Sequence, residues 1–117
     1  EMGLSLRNGD YVLDGTGGLR RAEGREALLE RVLFRLTARR GTFPFLPELG
    51  SRLWQLGPLS AAQRQSAAEQ YVAEALAPEE GLTVDQVTMA ESGGGRARVT
   101  ASMTWRGDSL SVTVEVS

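Results

Sequence analysis

Two groups of side chains in this chain have types and spacings that could do chemistry. The first is a row of arginines. Arg31, Arg35 and Arg39 recur at i, i+4 and i+8, with Arg40 beside the last of them. Like charges at that spacing oppose an isolated helix by roughly 0.2–0.5 kcal/mol per pair. The row therefore either meets an acidic partner surface or is neutralised by acids brought from elsewhere in the fold. The second group is the acidic turn PEEGL, Pro78 to Leu82, where Glu79 and Glu80 precede Gly81. Two carboxylates suggest acid–base work, but a glycosidase needs its pair about 5–9.5 Å apart across a sugar-binding cleft. Neighbours in a turn seldom converge in that way, so the turn reads as an exposed loop or as a loop that docks a partner.

Other chemistries are excluded by residue type. The chain has 117 residues with no histidine and no cysteine, and all 13 basic residues are arginine. Imidazole bases, thiolate nucleophiles, Schiff-base lysines and the usual zinc ligands are missing. Asp14-Gly15-Thr16-Gly17-Gly18 is not a phosphate-binding loop, because no GxxxxGK[ST] pattern is present. A net charge of −2 argues against bulk attraction to nucleic acid. No apolar run approaches the roughly 20 residues that cross a bilayer. The start, EMGLSLRNGD, lacks the basic-then-apolar order of a signal peptide. With 41% hydrophobic and 24% charged residues, a single globular domain over residues 1–117 is expected. The absence of cysteine fits a cytosolic site of synthesis.

The elements that must position these residues are read from periodicity. Gly3 to Leu19 reads as a small N-terminal β-hairpin, with Asn8-Gly9 as its turn and Asp14 to Gly18 as a flexible connector. A first helix is expected from Ala22 to Arg40, with Leu29, Val32, Leu33 and Leu36 on one stripe. A short second helix is expected from Glu48 to Leu56, stopped by Gly57-Pro58. A third begins at Ser60, where Gln63 three residues on makes a capping box, and ends at Pro78. Three strands follow. The first needs a bulge near Asp85-Gln86, since Leu82 and Val84 lie on the opposite parity to Val87 and Met89. The second alternates cleanly from Arg96 to Trp105, and Gly107-Asp108 turns the chain into the third. The fold class expected is α+β: an N-terminal hairpin, three helices and a C-terminal antiparallel three-stranded sheet packed on them by one face. The last strand, with Leu110, Val112, Val114 and Val116, is either an edge that accepts a strand from another chain or is covered within the fold.

Between the first two helices lies GTFPFLPELG, residues 41–50. Gly41 ends a helix, Pro44 and Pro47 fix backbone angles, and Phe43, Phe45 and Leu46 are apolar anchors. With Gly50 these make a stiff structural loop that packs on the body of the protein or on a partner.

The order of these parts resembles a known family. An N-terminal hairpin, GREALLERVLFRLTARRG, a proline-bearing loop with PELGSRLWQL, then EALAPEEGLTV and closing strands are similar to the baseplate wedge proteins of contractile phage tails. That family includes the matching baseplate subunit of type VI secretion systems and carries a lysozyme-like label. The resemblance implies a sheath initiator that docks to wedge core proteins and offers a strand-pairing edge to the tail sheath protein. It implies a place in a virion tail, prophage or secretion-like particle, after synthesis in the bacterial cytoplasm. It implies no cofactor, metal, small-molecule substrate, nucleic acid or membrane. The family's Glu-Pro-Arg docking signature has Glu79-Glu80-Gly81 as its counterpart here, which keeps the acid and lacks the proline and arginine. Arg52, or the row of Arg31, Arg35 and Arg39, is the candidate source of the missing charge. The residues show no carboxylate pair suited to peptidoglycan, so a non-enzymatic role is expected. A small peptidoglycan hydrolase and a generic protein-interaction adaptor are the alternatives.

Overall fold

The structure, a computed structural model, describes residues 2–4 and 15–116, with side chains from residue 24 onward. The elements run β1 (Met2–Leu4), α1 (Gly15–Thr37), a 3₁₀ turn (Leu53–Gln55), α2 (Ala61–Leu76), β2 (Leu82–Gly93), β3 (Arg96–Trp105) and β4 (Asp108–Val116). The strands form one sheet in the order β1-β4-β3-β2. Strands β2, β3 and β4 are antiparallel, as the alternation predicts, and β1 joins β4 in parallel. No described helix is long and apolar enough to cross a membrane.

The core lies between one face of the sheet and the two helices. Val99, Ala101, Met103 and Trp105 of β3 and Leu110, Val112 and Val114 of β4 are buried together with Leu28, Leu29, Val32 and Leu36 of α1. From α2 come Ala68, Val72, Ala75 and Leu76. Each fully buried Val or Leu contributes about 1.5–3 kcal/mol relative to exposure, so this shared face holds the layers together. The opposite face of the sheet is polar. Thr100 and Thr113 face each other there with their hydroxyl oxygens 2.9 Å apart.

Helix α2 follows its sequence signal closely. The Ser60 hydroxyl accepts from the Gln63 amide, and the Gln63 side chain accepts from the Ser60 amide. The β2 bulge is also where parity requires it, between Val84 and Gln86. The β3–β4 turn is centred one residue earlier than expected, on Arg106 and Gly107. Both have positive φ, and the turn's twist therefore matches that of the flanking strands.

Three expectations are corrected. The N-terminal hairpin is not formed as predicted: β1 pairs with β4 instead, and Gly15 to Leu19 belongs to α1. The predicted Asn8-Gly9 turn and the strand at Tyr11 to Leu13 fall outside the described residues. Glycines disfavour a helix by about 1 kcal/mol each, which is why residues 15–18 read as a connector. Extending a helix that already exists, however, adds a hydrogen bond per residue without a new nucleation cost. At its other end α1 stops at Thr37, short of Arg40, because Ala38 and Arg40 bond across to Ser51.

The predicted second helix is the third correction, leaving two α-helices rather than three. Only the 3₁₀ turn at Leu53–Gln55 forms between Glu48 and Leu56. The Ser51 amide donates to the Ala38 carbonyl at 2.9 Å, and the Arg40 amide donates to the Ser51 carbonyl at 3.0 Å. This bridge holds Ser51 extended. Gly50 makes the approach possible, with φ +103° and the ideal position of a β-carbon only 2.6 Å from the Ala38 carbonyl oxygen. Leu53 and Leu56 still reach the core, so the apolar spacing is correct although the backbone is not α-helical.

The Gly50→Ala variant should lose several kcal/mol of stability, because it adds a backbone clash to about 1–3 kcal/mol of left-handed strain. Gly41→Ala, at φ +91° but with open space around it, should lose only about 1–2 kcal/mol. Urea denaturation of both variants measures the difference.

Candidate partner-docking site

The arginine row and the acidic turn, read separately in the sequence, meet each other in the fold. Arg31 Nε and Nη2 donate to Glu79 Oε1 at 3.2 and 3.1 Å, and Arg35 Nε donates to Glu79 Oε2 at 2.9 Å. The turn is set by the Glu79 amide, which donates to the Leu76 carbonyl at 3.0 Å, and by Gly81 at φ +74°. The Glu79 side chain is only 7% exposed. Burial by itself would raise its pKa, but the hydrogen bonds and charges of Arg31 and Arg35 outweigh burial and hold the carboxyl below its ordinary value.

A second clasp lies further along α2. Arg52 Nε and Nη2 bind Glu74 in bidentate fashion at 2.8 and 2.6 Å. Hydrogen bonding from Arg52 lowers the Glu74 pKa against the opposing effect of burial, and the charges of Arg40 and Arg52 add to the lowering. The same hydrogen bond raises Arg52. The Arg52 guanidinium lies 5.2 Å from the Tyr71 ring centroid, and that of Arg39 lies 5.1 Å from the Trp54 ring. Of the residues expected to bind a partner, Arg31, Arg35, Arg52 and Glu79 thus satisfy one another or Glu74 within the chain. Arg39 stacks on Trp54, while Glu80 and Gly81 remain exposed. Neutralisation by acids from elsewhere in the fold, one of the two readings of the row, is what the geometry supplies.

The strand-pairing residues are placed differently from the edge reading. Leu110, Val112 and Val114 point into the core. Strand β4 is not an edge, because β1 lies alongside it with Met2 opposite Leu110 and Leu4 opposite Val112. Beyond Val112, β4 has no further strand on that side among the described residues, and Val116 is only partly buried. The described edge at the other end of the sheet is β2, which the sequence reading did not single out. Its position follows from strand order, and no local pattern signals that.

The loop at residues 41–50 stands apart. Both its ends are tied by the Arg39–Ser51 bridge, and within it the Thr42, Leu46 and Leu49 amides donate to the carbonyls of Arg39, Phe43 and Leu46. Despite that order its apolar side chains do not fold back on the body. Phe45 is 95% exposed and Leu46 57%, and Phe34 on the adjacent turn of α1 is 49% exposed. Phe34 and Phe43 sit edge-tilted, with ring centroids 6.1 Å apart. A shallow groove of about 480 Å³ continues the patch, lined by Ala27, Phe34 and Leu49 and rimmed by Glu30, Arg31 and Arg35. Pro44 and Pro47 lie within this loop, and Gly41 and Gly50 mark its ends. Phe34 was missed in the sequence because it falls beside the core stripe and gives no periodic signal of its own.

No protein-family model matches the chain. No curated protein matches it by sequence.

The Glu79 clasp makes stability depend on pH with a defined sign. A carboxyl whose folded pKa lies below the ordinary 4.5 contributes fully above that value and loses its contribution as pH falls through the folded pKa. Acid titration of wild-type stability should therefore show a decline starting below about 4.5. Glu79→Gln should lower stability at pH 7 by about 1–2 kcal/mol and flatten that decline, as read from urea midpoints between neutral and acid pH.

Proposed function

We propose that this chain is a non-enzymatic structural subunit of a contractile-tail baseplate, which docks to wedge core proteins and takes part in starting the sheath. The observation that carries the docking part is the ordered, solvent-facing apolar loop. Hydrophobic side chains on a mobile loop would be unremarked, but here five backbone hydrogen bonds, including the two of the closing bridge, hold Phe45 and Leu46 outward. An exposed apolar patch that the fold keeps rigid suits burial against another protein, because little entropy remains to be lost on binding. The baseplate assignment rests on the resemblance of the segments GREALLERVLFRLTARRG, PELGSRLWQL and EALAPEEGLTV, and not on the predicted hairpin or second helix, which the fold replaces.

The docking surface is then the loop and the neighbouring turn of α1, with Phe34, Phe43, Phe45 and Leu46 as anchors. The Glu79 turn acts beneath it. By holding Arg31 and Arg35, Glu79 orders the rim of the groove, and the charge missing from the turn's own sequence is supplied from α1. A peptidoglycan hydrolase needs one carboxyl held protonated. Glu74 and Glu79 are both driven toward the ionised form by arginines, which weighs against that alternative.

A Phe45→Ser, Leu46→Ser double variant should keep its circular dichroism spectrum and urea midpoint, since neither side chain belongs to the core. Burial of each native side chain is worth about 1.5–3 kcal/mol, so docking should weaken by roughly 100-fold or more. Contractile particles built with this variant should lack baseplates in negative-stain electron micrographs, and particles of normal form would sink the docking assignment.

A further inference from the structure

The sheet order leaves β2 bonded only to β3 among the described residues, with the whole of its other side as a backbone edge. The direction of that edge is defined at one residue. Gln65 Nε2 of α2 donates to the Val87 carbonyl at 2.7 Å. The Val87 peptide groups therefore face away from β3. The register is unbroken from Gln86 to Glu91, so Met89 and Glu91 present their amides and carbonyls outward as well. A groove of about 650 Å³ runs between this edge and α2, with Gln65, Glu69 and Ala73 on one wall and Val84 to Met89 on the other. A strand edge beside a helix, with a channel between them, is the arrangement in which an extended peptide adds to a sheet while its side chains touch the helix.

The charge of the groove specifies its occupant. Among the described residues, Glu69 and Asp85 are the only charged ones that line it, and both are acidic. Glu69 accepts from Gln65, and Asp85 accepts from the Thr104 hydroxyl. We propose that the β2 edge is a second docking site, which takes an extended basic segment of another protein as an added strand. The Gln65 amide stands where the incoming strand would place a donor, keeping the Val87 carbonyl satisfied until it is displaced. A second copy of this chain is a poor occupant. Antiparallel pairing of two β2 edges would bring Asp85 and Glu69 of one copy toward those of the other, with like charges opposed. The inference deepens the assembly reading and rests on it for the partner being another subunit, but the site itself is tested on the isolated chain.

The test is titration of the ¹⁵N-labelled protein with a capped nine-residue peptide alternating valine and arginine, against a counterpart alternating valine and glutamate. The basic peptide should shift the amides of Val87, Met89 and Glu91 and bind roughly ten-fold or more tightly than the acidic one at low salt. A Glu69→Gln, Asp85→Asn variant should lose most of that preference. N-methylation of alternate peptide amides should abolish binding in one phase and spare it in the other, because only every second amide of an added strand faces β2. Equal binding of the two charge types, equal effects of the two methylation phases, shifts mapping elsewhere, or no binding at about 1 mM would each overturn the proposal. Self-association without peptide that shifts the same amides would assign the edge to a second copy and overturn it as well. The serine variants of Phe45 and Leu46 should bind the peptide normally, so failure of the loop assignment and failure of this one are separable.

Discussion

The bridge between the end of α1 and Ser51 is the constraint on which the exposed apolar loop depends. Ser51 is 1% exposed and uses every polar group it has. Its backbone pairs with Ala38 and Arg40, and its hydroxyl donates to the Leu36 carbonyl at 2.6 Å while accepting from the Leu53 amide. One residue thus satisfies a carbonyl at the C-terminal end of α1, closes the loop at 41–50 and starts the 3₁₀ turn that sends Leu53 and Leu56 into the core. A helix end left without such partners would have to expose those carbonyls to water. Because the closure is short and hydrogen-bonded, the apolar residues between its ends are displayed at a defined place rather than collapsed onto the sheet.

Electrostatics support the same surface from below. The α1 arginines repel one another along the helix, and the acids that relieve this come from α2 and the turn after it. Glu79 engages two of them and Glu74 engages Arg52. Exposed ion pairs contribute little to stability, but the Glu79 carboxylate is enclosed, and losing it would take its acceptor from Arg35, whose side chain is largely covered, while Arg31 stays open to water. The clasps also join α1, the segment that opens the 3₁₀ turn, and α2 with its following turn through side chains. Charges that looked like an advertisement to a partner therefore do their work inside the chain, and the large side chains left exposed beside them, Phe34, Phe45 and Leu46, are apolar.

The two ends of the sheet differ for related reasons. Strand β4 lies under β1 for part of its length, so its valines serve the core and its outer backbone is partly engaged. At the other end β2 is long, bulged at Asp85 and flanked by acids. A bulge and inward-reaching polar side chains are devices that keep an edge from indiscriminate pairing. The Gln65 contact, which satisfies the Val87 carbonyl on the outer side of β2, belongs among them.

Local patterns determined much of this protein by themselves. The two-residue period of β3 and β4, the parity break that places the β2 bulge, the Ser60–Gln63 cap and the apolar stripe of α1 are all short-range consequences of side-chain direction and hydrogen-bonding capacity, and each is found where the residues require it. The glycines read as breaks at the two ends of the 41–50 loop, Gly41 and Gly50, both have positive φ. Tertiary structure alone decided the rest. Whether Ser51 continued a helix or bridged to Ala38 depended on a neighbour thirteen residues away in sequence. Which acid met which arginine depended on how α2 lay across α1. Which strand became an edge depended on β1 arriving beside β4. Side-chain periodicity carries information over one or two turns of chain, whereas pairing across the fold is settled by burial and by the need of every enclosed polar group for a partner.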